Sequence, residues 1–112
     1  MHQTVFYKTG NGAEPVLDWL RSLSKEDRLV VGEDLRTVQI GFPIGLPVCR
    51  PLGDGLYEVR SSLPSRREAR LIFFHHSRLA ALMVLHGFIK TTRATPKADL
   101  ALARRRRNEY GP

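Results

Sequence analysis

The chain has 112 residues, and its 18 Lys and Arg outnumber its 11 Asp and Glu, which gives a formal charge of +7. The charge is uneven: residues 1–56 carry six basic and seven acidic side chains (net −1), whereas residues 57–112 carry twelve and four (net +8). A positive half of this kind favours a polyanionic partner such as nucleic acid. The length predicts one domain that spans residues 1–112.

The composition also excludes several classes of protein. With 42% hydrophobic residues, the chain can build a core and is not expected to be disordered. It lacks a run of about 18 consecutive apolar residues, so we expect no membrane-spanning helix. Its start lacks the features of a secretory signal, and the single cysteine, Cys49, allows no intramolecular disulfide and argues against a zinc–thiolate cluster. We therefore expect a soluble cytoplasmic protein that needs no metal or other cofactor.

The first part of the chain predicts one strand and two helices. Residues 5–7 are a β-favouring run that ends at a glycine-containing turn. Pro15 suits the first turn of a helix whose apolar side chains recur on one stripe. Ser24 then caps a second helix that ends at residues 41–43. The short link between the helices predicts an antiparallel helical hairpin.

A long connection and three strands are predicted next. Residues 41–55 contain four glycines and three prolines, which predicts an irregular connection. Residues 56–60 alternate between apolar and charged side chains and predict a strand. Residues 70–74 predict a second strand and residues 79–88 a third, so that the three form an antiparallel meander.

The chain is predicted to end in a helix. Thr95 is the expected N-cap, Pro96 the first helical residue, and four arginines the last turn. The predicted fold class is therefore α+β, with an N-terminal strand and a helical hairpin packed on an antiparallel sheet and a C-terminal helix. All the helices are expected on one face of the sheet.

Strand periodicity predicts which side chains share a face. Residues two apart on a strand point the same way, so Glu58 and Arg60 form one pair and His86 and Lys90 another. Arg70 begins the middle strand. If the strands align accordingly, one face carries five polar side chains: Glu58, Arg60, Arg70, His86 and Lys90. The other face would then rest on the helical hairpin.

Such a set suits RNA cleavage. The reaction needs a base for the 2′-hydroxyl proton, an acid for the leaving 5′-oxygen, and cations for the charge that develops on phosphorus. Glu58 or His86 could exchange the protons, and the arginines and Lys90 could hold the phosphate. This scheme requires no metal.

Several of the polar side chains also have a structural interpretation. Glu58 and Arg60 could form only a surface ion pair, and a histidine such as His86 in an apolar strand is more often structural than catalytic. Neighbouring strand residues face opposite sides, so His75 and His76 are poorly placed to chelate one ion. Residues 104–107 could simply be a solvated helix end that complements the helix dipole. The residue types alone leave these alternatives open.

Several motifs resemble those of a known family. Residues 51–60 read PLGDGLYEVR, residues 70–74 RLIFF, residues 85–92 LHGFIKTT and residues 95–96 TP. In this order and spacing they resemble the phage-derived HigB-type toxins of the RelE/ParE superfamily of toxin–antitoxin systems. Two positions depart from the family pattern: Thr91 stands where a second lysine is common, and the 61–69 loop lacks the usual glycine-rich turn.

The resemblance implies a RelE-like fold and a ribosome-dependent messenger-RNA endonuclease. It implies a cognate antitoxin, often with a helix-turn-helix domain, that contacts the opening helical pair and masks the basic face. It also points to the five side chains selected above as catalytic. Nine further basic residues are predicted RNA or ribosome contacts: Arg50, Arg66, Arg67, Arg93, Lys97, Arg104, Arg105, Arg106 and Arg107.

Two other functions compete with RNA cleavage. The first is a ParE-like toxin that inhibits DNA gyrase without catalysis, because the same superfamily fold carries both activities. The second is a basic nucleic-acid-binding module that neutralises phosphates and has no catalysis. The acid–base candidates favour the nuclease over the gyrase inhibitor, and the lack of an aromatic RNA-binding signature disfavours the simple binding module.

Overall fold

Five strands form one sheet at the centre of the computed structural model, which describes residues 1–111. The spatial order is β1-β5-β4-β3-β2; β1 runs parallel to β5, and the other neighbours are antiparallel. In chain order the elements are β1 (Gln3–Phe6), α1 (Pro15–Ser22), α2 (Lys25–Gly41), β2 (Cys49–Gly53), β3 (Leu56–Ser62), β4 (Glu68–His76), β5 (Ala81–Lys90) and α3 (Lys97–Asn108).

The predicted α+β class, the N-terminal strand, the two helices and the meander are confirmed. The prediction of an irregular connection over residues 41–55 is wrong in part, because β2 lies within it. β2 is an edge strand, where Pro51 can be accommodated because no neighbour on its open side requires a backbone donor. Its first residue, Cys49, is fully buried in the core. Among residues 1–111, no helix is long and apolar enough to cross a lipid bilayer.

The helices α1 and α2 cover one face of the sheet. Their apolar stripes meet the side chains that β3, β4 and β5 direct to that face, and α1 packs on β5 while α2 packs on β3. Ser24 caps α2 as predicted, because its hydroxyl accepts a hydrogen bond from the Asp27 amide at 3.2 Å. Such a cap stabilises a helix by roughly 1 kcal/mol. The shared core includes Val16, Val31, Leu35, Val38, Val59, Leu71, Phe73 and Val84.

The helix α3 lies on the opposite face. The prediction that the helices pack on one face is therefore wrong, because Leu100 and Ala103 of α3 pack into a second apolar cluster on the other side. The strand residues of that cluster are Leu56, Ile72, Leu85 and Phe88. Thr95 is not the N-cap: Pro96 occupies that position and α3 begins at Lys97. The hydroxyl of Thr95 instead donates a hydrogen bond to Glu58.

A bulge interrupts the ladder between β4 and β5. Ile72 pairs with His86 and Phe73 pairs with Val84, so Leu85 is an extra residue on β5. The Leu85 carbonyl accepts a hydrogen bond from Arg106 Nη1 at 2.7 Å. Side chains of paired residues point to the same face, so the bulge changes which residues of β5 face α3.

Candidate active site

The strand register brings the five predicted side chains to the face that also carries α3. Arg60 pairs with Arg70 across β3 and β4, and Arg70 pairs with Phe88 of β5. One step along the strands, Glu58, Ile72 and His86 form the next row. Lys90 lies opposite Glu68 at the end of β5. The shared face predicted from strand periodicity is therefore present, whereas the catalytic role of these residues stays a prediction.

The carboxylate of Glu58 is the centre of this face. Glu58 is only 1% exposed, and its Oε2 accepts a hydrogen bond from Arg60 Nη1 at 3.0 Å. Arg70 Nε lies 3.8 Å from the same oxygen. The other oxygen, Oε1, accepts a hydrogen bond from the Thr95 hydroxyl at 3.0 Å. A buried carboxylate needs paired cations and hydrogen bonds to offset its lost hydration, and Glu58 has both.

Arg70 is the most deeply buried cation of the site. Its side chain is 2% exposed, and its Nη1 donates to the Ala69 carbonyl at 2.9 Å and to Glu68 Oε1 at 3.4 Å. Its buried Nε has no hydrogen-bond partner among residues 1–111. Because few buried donors in proteins are left unpaired, this N–H singles out Arg70 as a candidate functional residue and not merely a structural one.

His86 forms a separate pair with α3. Its Nε2 lies 2.6 Å from Asp99 Oδ1, and its ring stacks on Phe88 with centroids 5.4 Å apart. Glu58 and His86 are separated by two strand spacings, about 10 Å between backbones, with the fully buried Ile72 between them. The site thus has two parts on one face: the Glu58 cluster with its two arginines, and the His86–Asp99 pair.

Some of the predicted RNA contacts also lie near this site. Arg50 is exposed on β2 directly beside Glu58 in the register. Arg93 is exposed in the loop that ends at Thr95, and Lys97 is the exposed first residue of α3. Together with half-buried Lys90, these side chains provide positive charge around Glu58.

The other predicted RNA contacts lie elsewhere. Arg66 is exposed in the β3–β4 turn, with a φ of 65°. Its neighbour Arg67 pairs with Asp27 of α2 at 3.3 Å, on the side of the helical hairpin. Asp27 also accepts a hydrogen bond from the Ser65 amide at 3.1 Å. Hydrogen bonds from Ser65, together with the Arg67 guanidinium, lower the pKa of Asp27 although burial opposes this shift.

The run Arg104–Arg107 mainly holds α3 to the sheet. Arg104 Nε lies 3.4 Å from the Asp54 carboxylate, and Arg107 donates to the Asp54 carbonyl. Arg106 donates to β5 and lies over the Tyr7 ring, 4.8 Å from its centroid. Arg105 is exposed, with no hydrogen bond or ion pair among residues 1–111, and contact of this run with RNA stays a prediction.

Sequence reasoning missed the contributions of Thr95 and Asp99. The sequence predicts Thr95 as a helix cap, and Asp99 is one acidic residue in a first helical turn, where such residues are common. Their partners are 37 and 13 residues away in the chain. Only the tertiary docking of α3 brings these pairs together, so no local pattern could have revealed them.

Two cavities help to locate possible ligands. One, of about 400 Å³, adjoins the site and is lined by Val30, Asp34, Pro47, Val48, Arg60, Ser62 and Glu68. Another, of about 340 Å³, lies at the far end of α3 near Tyr110 and contains none of the five predicted catalytic side chains. Within residues 1–111, no three His, Cys, Asp or Glu side chains gather closely enough to hold a metal ion.

Comparisons with known proteins agree with this architecture. The crystal structure of the isolated E. coli RelE toxin is similar, with a TM-score of 0.53 and 18% sequence identity over 94% of this chain and 98% of that chain. A comparison with curated protein sequences gives no match. A family model described as phage-derived protein Gp49-like (DUF891) matches residues 18–108. The chain has a RelE-like fold and belongs to the Gp49-like family of phage-derived proteins.

Proposed function

We propose that this protein is a HigB-type toxin of a type II toxin–antitoxin system that cleaves messenger RNA on the ribosome. The observation that carries the proposal is the buried Glu58 carboxylate between two arginines, beside the unpaired Nε donor of Arg70. A purely structural ion pair would be expected to satisfy this donor. Membership of a phage-derived family and similarity to the RelE toxin fold support the proposal.

The proposed reaction is cleavage by internal attack. The ribose 2′-oxygen loses a proton and forms a bond to phosphorus, while the bond from phosphorus to the 5′-oxygen breaks and that oxygen gains a proton. The products are a 2′,3′-cyclic phosphate and a 5′-hydroxyl. Arg60, Arg70 and Lys90 would stabilise the charge on the phosphoryl oxygens, since cations aimed at developing charge contribute strongly to catalysis.

The proton-transfer candidates differ in how they are engaged. Both oxygens of Glu58 already accept hydrogen bonds, from Arg60 and Thr95. His86 has one ring nitrogen paired with Asp99 and a second ring nitrogen, Nδ1, without a hydrogen-bond partner among residues 1–111. His86 is therefore the better candidate for proton exchange, and Glu58 is the better candidate for orienting the two arginines.

The proposed toxin acts on the ribosome and is inhibited by an antitoxin. Only Arg60, His86 and Lys90 of the five side chains are partly accessible on this face, so the ribosome would supply most of the geometry of the bound RNA. The protein would act in the cytoplasm, where its ribosomal substrate is found. A cognate antitoxin with a helix-turn-helix domain would bind the α1–α2 pair and the basic face, because it must neutralise the cations that bind RNA.

The direct test is cleavage of messenger RNA on programmed ribosomes, with the 5′ ends mapped. We expect the parent protein to cleave and Arg60→Ala, Arg70→Ala and His86→Ala to lose about 100-fold or more in rate. Arg36→Ala, at an exposed position of α2, is the matched control and should cleave like the parent. Thermal unfolding of each variant separates lost chemistry from lost folding.

The outcome that contradicts the proposal is equally clear. If Arg60→Ala and His86→Ala fold and cleave as fast as the parent, the assignment of the active site to this sheet face is wrong. If the parent leaves RNA intact but inhibits supercoiling by DNA gyrase, the ParE-like function replaces the proposed one.

A further inference from the structure

We propose that Asp99 is a positioning residue for His86: it accepts the Nε2–H of the ring and so makes Nδ1 the nitrogen that exchanges a proton with RNA. The role of Nδ1 rests on the proposed nuclease function. The effect of Asp99 on the tautomer of His86 does not depend on that function.

The geometry of the pair fixes the tautomer. Nε2 of His86 and Oδ1 of Asp99 are 2.6 Å apart, and the two side chains are only 15% and 24% exposed. An ionised carboxylate can only accept hydrogen bonds, so the proton between these atoms belongs to Nε2. A neutral imidazole has one N–H, and therefore Nδ1 carries the free lone pair.

The surroundings keep the ring and the carboxylate in place. Phe88 stacks on the His86 ring with an interplanar angle of 19°. Asp99 lies in the first turn of α3, where the helix dipole favours a negative side chain. The helix itself is anchored by Leu100 and Ala103 in the apolar cluster beneath it. The docking of α3 thus determines the orientation of His86.

The same stretch of chain contacts both proton-transfer candidates. Thr95, two residues before α3, donates to Glu58, and Asp99 binds His86 from the first helical turn. The start of α3 and the segment before it therefore border the site together with the sheet face.

The chemistry follows from the free lone pair. Nδ1 takes the 2′-hydroxyl proton as the 2′-oxygen bonds to phosphorus, and the ring becomes an imidazolium. Asp99 stabilises that cation through the Nε2–H bond that already exists. The 5′-oxygen takes a proton from water as its bond to phosphorus breaks. Nδ1 then returns its own proton to solvent, and the neutral tautomer is restored.

The test uses the full-length protein without RNA in its first arm. Long-range ¹H–¹⁵N NMR of the histidine rings, at a pH where they are neutral, distinguishes the two tautomers, and the spectrum of His86→Gln assigns His86. We expect Nε2–H in the parent and a mixed or Nδ1–H state in Asp99→Asn and Asp99→Leu. Asp18→Asn is the matched control, because Asp18 lies in the first turn of α1 and is exposed.

The second arm measures cleavage on programmed ribosomes as a function of pH. We expect Asp99→Asn to lower the rate by about 100-fold and to change the pH profile, yet to add no further loss to His86→Gln. A parent ring with Nδ1–H, or an unchanged ring in Asp99→Leu, overturns the assignment. A parent that imposes Nε2–H but never cleaves refutes the proposed function alone. A cleaving Asp99→Asn with the parental rate and pH profile overturns the positioning role.

Discussion

Arg60 and Arg70 lie directly opposite one another on β3 and β4, and both turn toward one oxygen atom, Oε2 of Glu58, at 3.0 and 3.8 Å. Like charges at opposed positions of a ladder destabilise a sheet unless a counter-charge lies between them. Glu58 supplies that counter-charge, so we expect it to contribute to folding as well as to the site.

Glu58→Gln should destabilise the protein. The amide keeps the size of the side chain but removes the charge that two arginines face, one of them almost fully buried. Breaking a buried ion pair from one side typically lowers the free energy of unfolding by about 3 kcal/mol. Chemical denaturation at neutral pH measures this change. Glu33→Gln, an exposed change on α2, should shift the free energy by no more than about 0.5 kcal/mol. Equal stability of both variants and the parent would contradict the counter-charge role.

Gly87→Ala should destabilise the protein for a steric reason. A Cβ at this position would lie 2.6 and 2.8 Å from ring carbons of Trp19 and 2.9 Å from a Leu71 methyl carbon. Overpacking of this kind lowers the free energy of unfolding by about 1–3 kcal/mol. Gly32→Ala on α2, where nothing lies within 4 Å of the added carbon, should instead stabilise by about 0.5–1 kcal/mol. Thermal unfolding of the two variants should thus move in opposite directions, and a parental melting temperature for Gly87→Ala would refute the tight contact.

Acid should weaken the attachment of the β3–β4 turn to α2. Hydrogen bonds from Ser65 and the charge of Arg67 hold the pKa of Asp27 below its usual value of 3.8. A depressed carboxyl pKa contributes stability that is fully present above the unfolded value and lost as the pH falls through the folded value. We expect the unfolding free energy to fall below about pH 3.9 more steeply in the parent than in Asp27→Asn. Parallel pH curves for the two proteins would contradict the prediction.

Tyr7 should tie the end of α3 to the sheet in an alkali-sensitive way. Its hydroxyl donates to the Glu109 carboxylate at 2.8 and 2.9 Å, and this hydrogen bond is the main reason that the pKa of Tyr7 is raised above 10.0. A raised folded pKa gives stability that is present below the unfolded value and lost as the pH rises through the folded one. We expect Tyr7→Phe to flatten the loss of stability above about pH 10.

Hydrogen exchange provides a second measurement for this contact. Amides in the last turns of α3 should exchange several-fold faster in Tyr7→Phe at neutral pH, whereas those of α2 should be unchanged. The exposed Tyr110, changed to Phe, is a control of the same chemistry near the same helix end. Equal exchange in the parent and both variants would show that α3 does not depend on Tyr7.

Much of the fold could be predicted because its signals are local. Ser24 caps α2 by accepting a hydrogen bond from the amide of Asp27, only three residues later in the chain. The alternation of apolar and charged side chains in β3 is visible in five consecutive residues. The strand β2 was missed because Pro51 and the glycines around it are typical of loops, and only its edge position permits them. The face occupied by α3 could not be predicted, since no local pattern tells which side of a sheet a terminal helix will cover.

The candidate site was predicted only in its composition. Strand periodicity brought the five side chains to one face, but it could not show that Glu58 is buried or that His86 pairs with Asp99. Both facts depend on the docking of the chain after residue 90. The contacts of three of the four consecutive arginines could not be predicted for the same reason, because they form only when α3 docks.

The contact between Trp19 and Gly87 also fixes the alignment of β5. If the ladder between β4 and β5 had no bulge at Leu85, regular pairing would bring His86, instead of Gly87, opposite Leu71. His86 would then lie under the indole of Trp19. An imidazole cannot occupy a position where even one added carbon would lie 2.6 Å from the ring. The Trp19 ring therefore leaves room only for glycine at the position of β5 that lies beneath it. A helix on one side of the sheet thereby selects which residues the strand presents on the other.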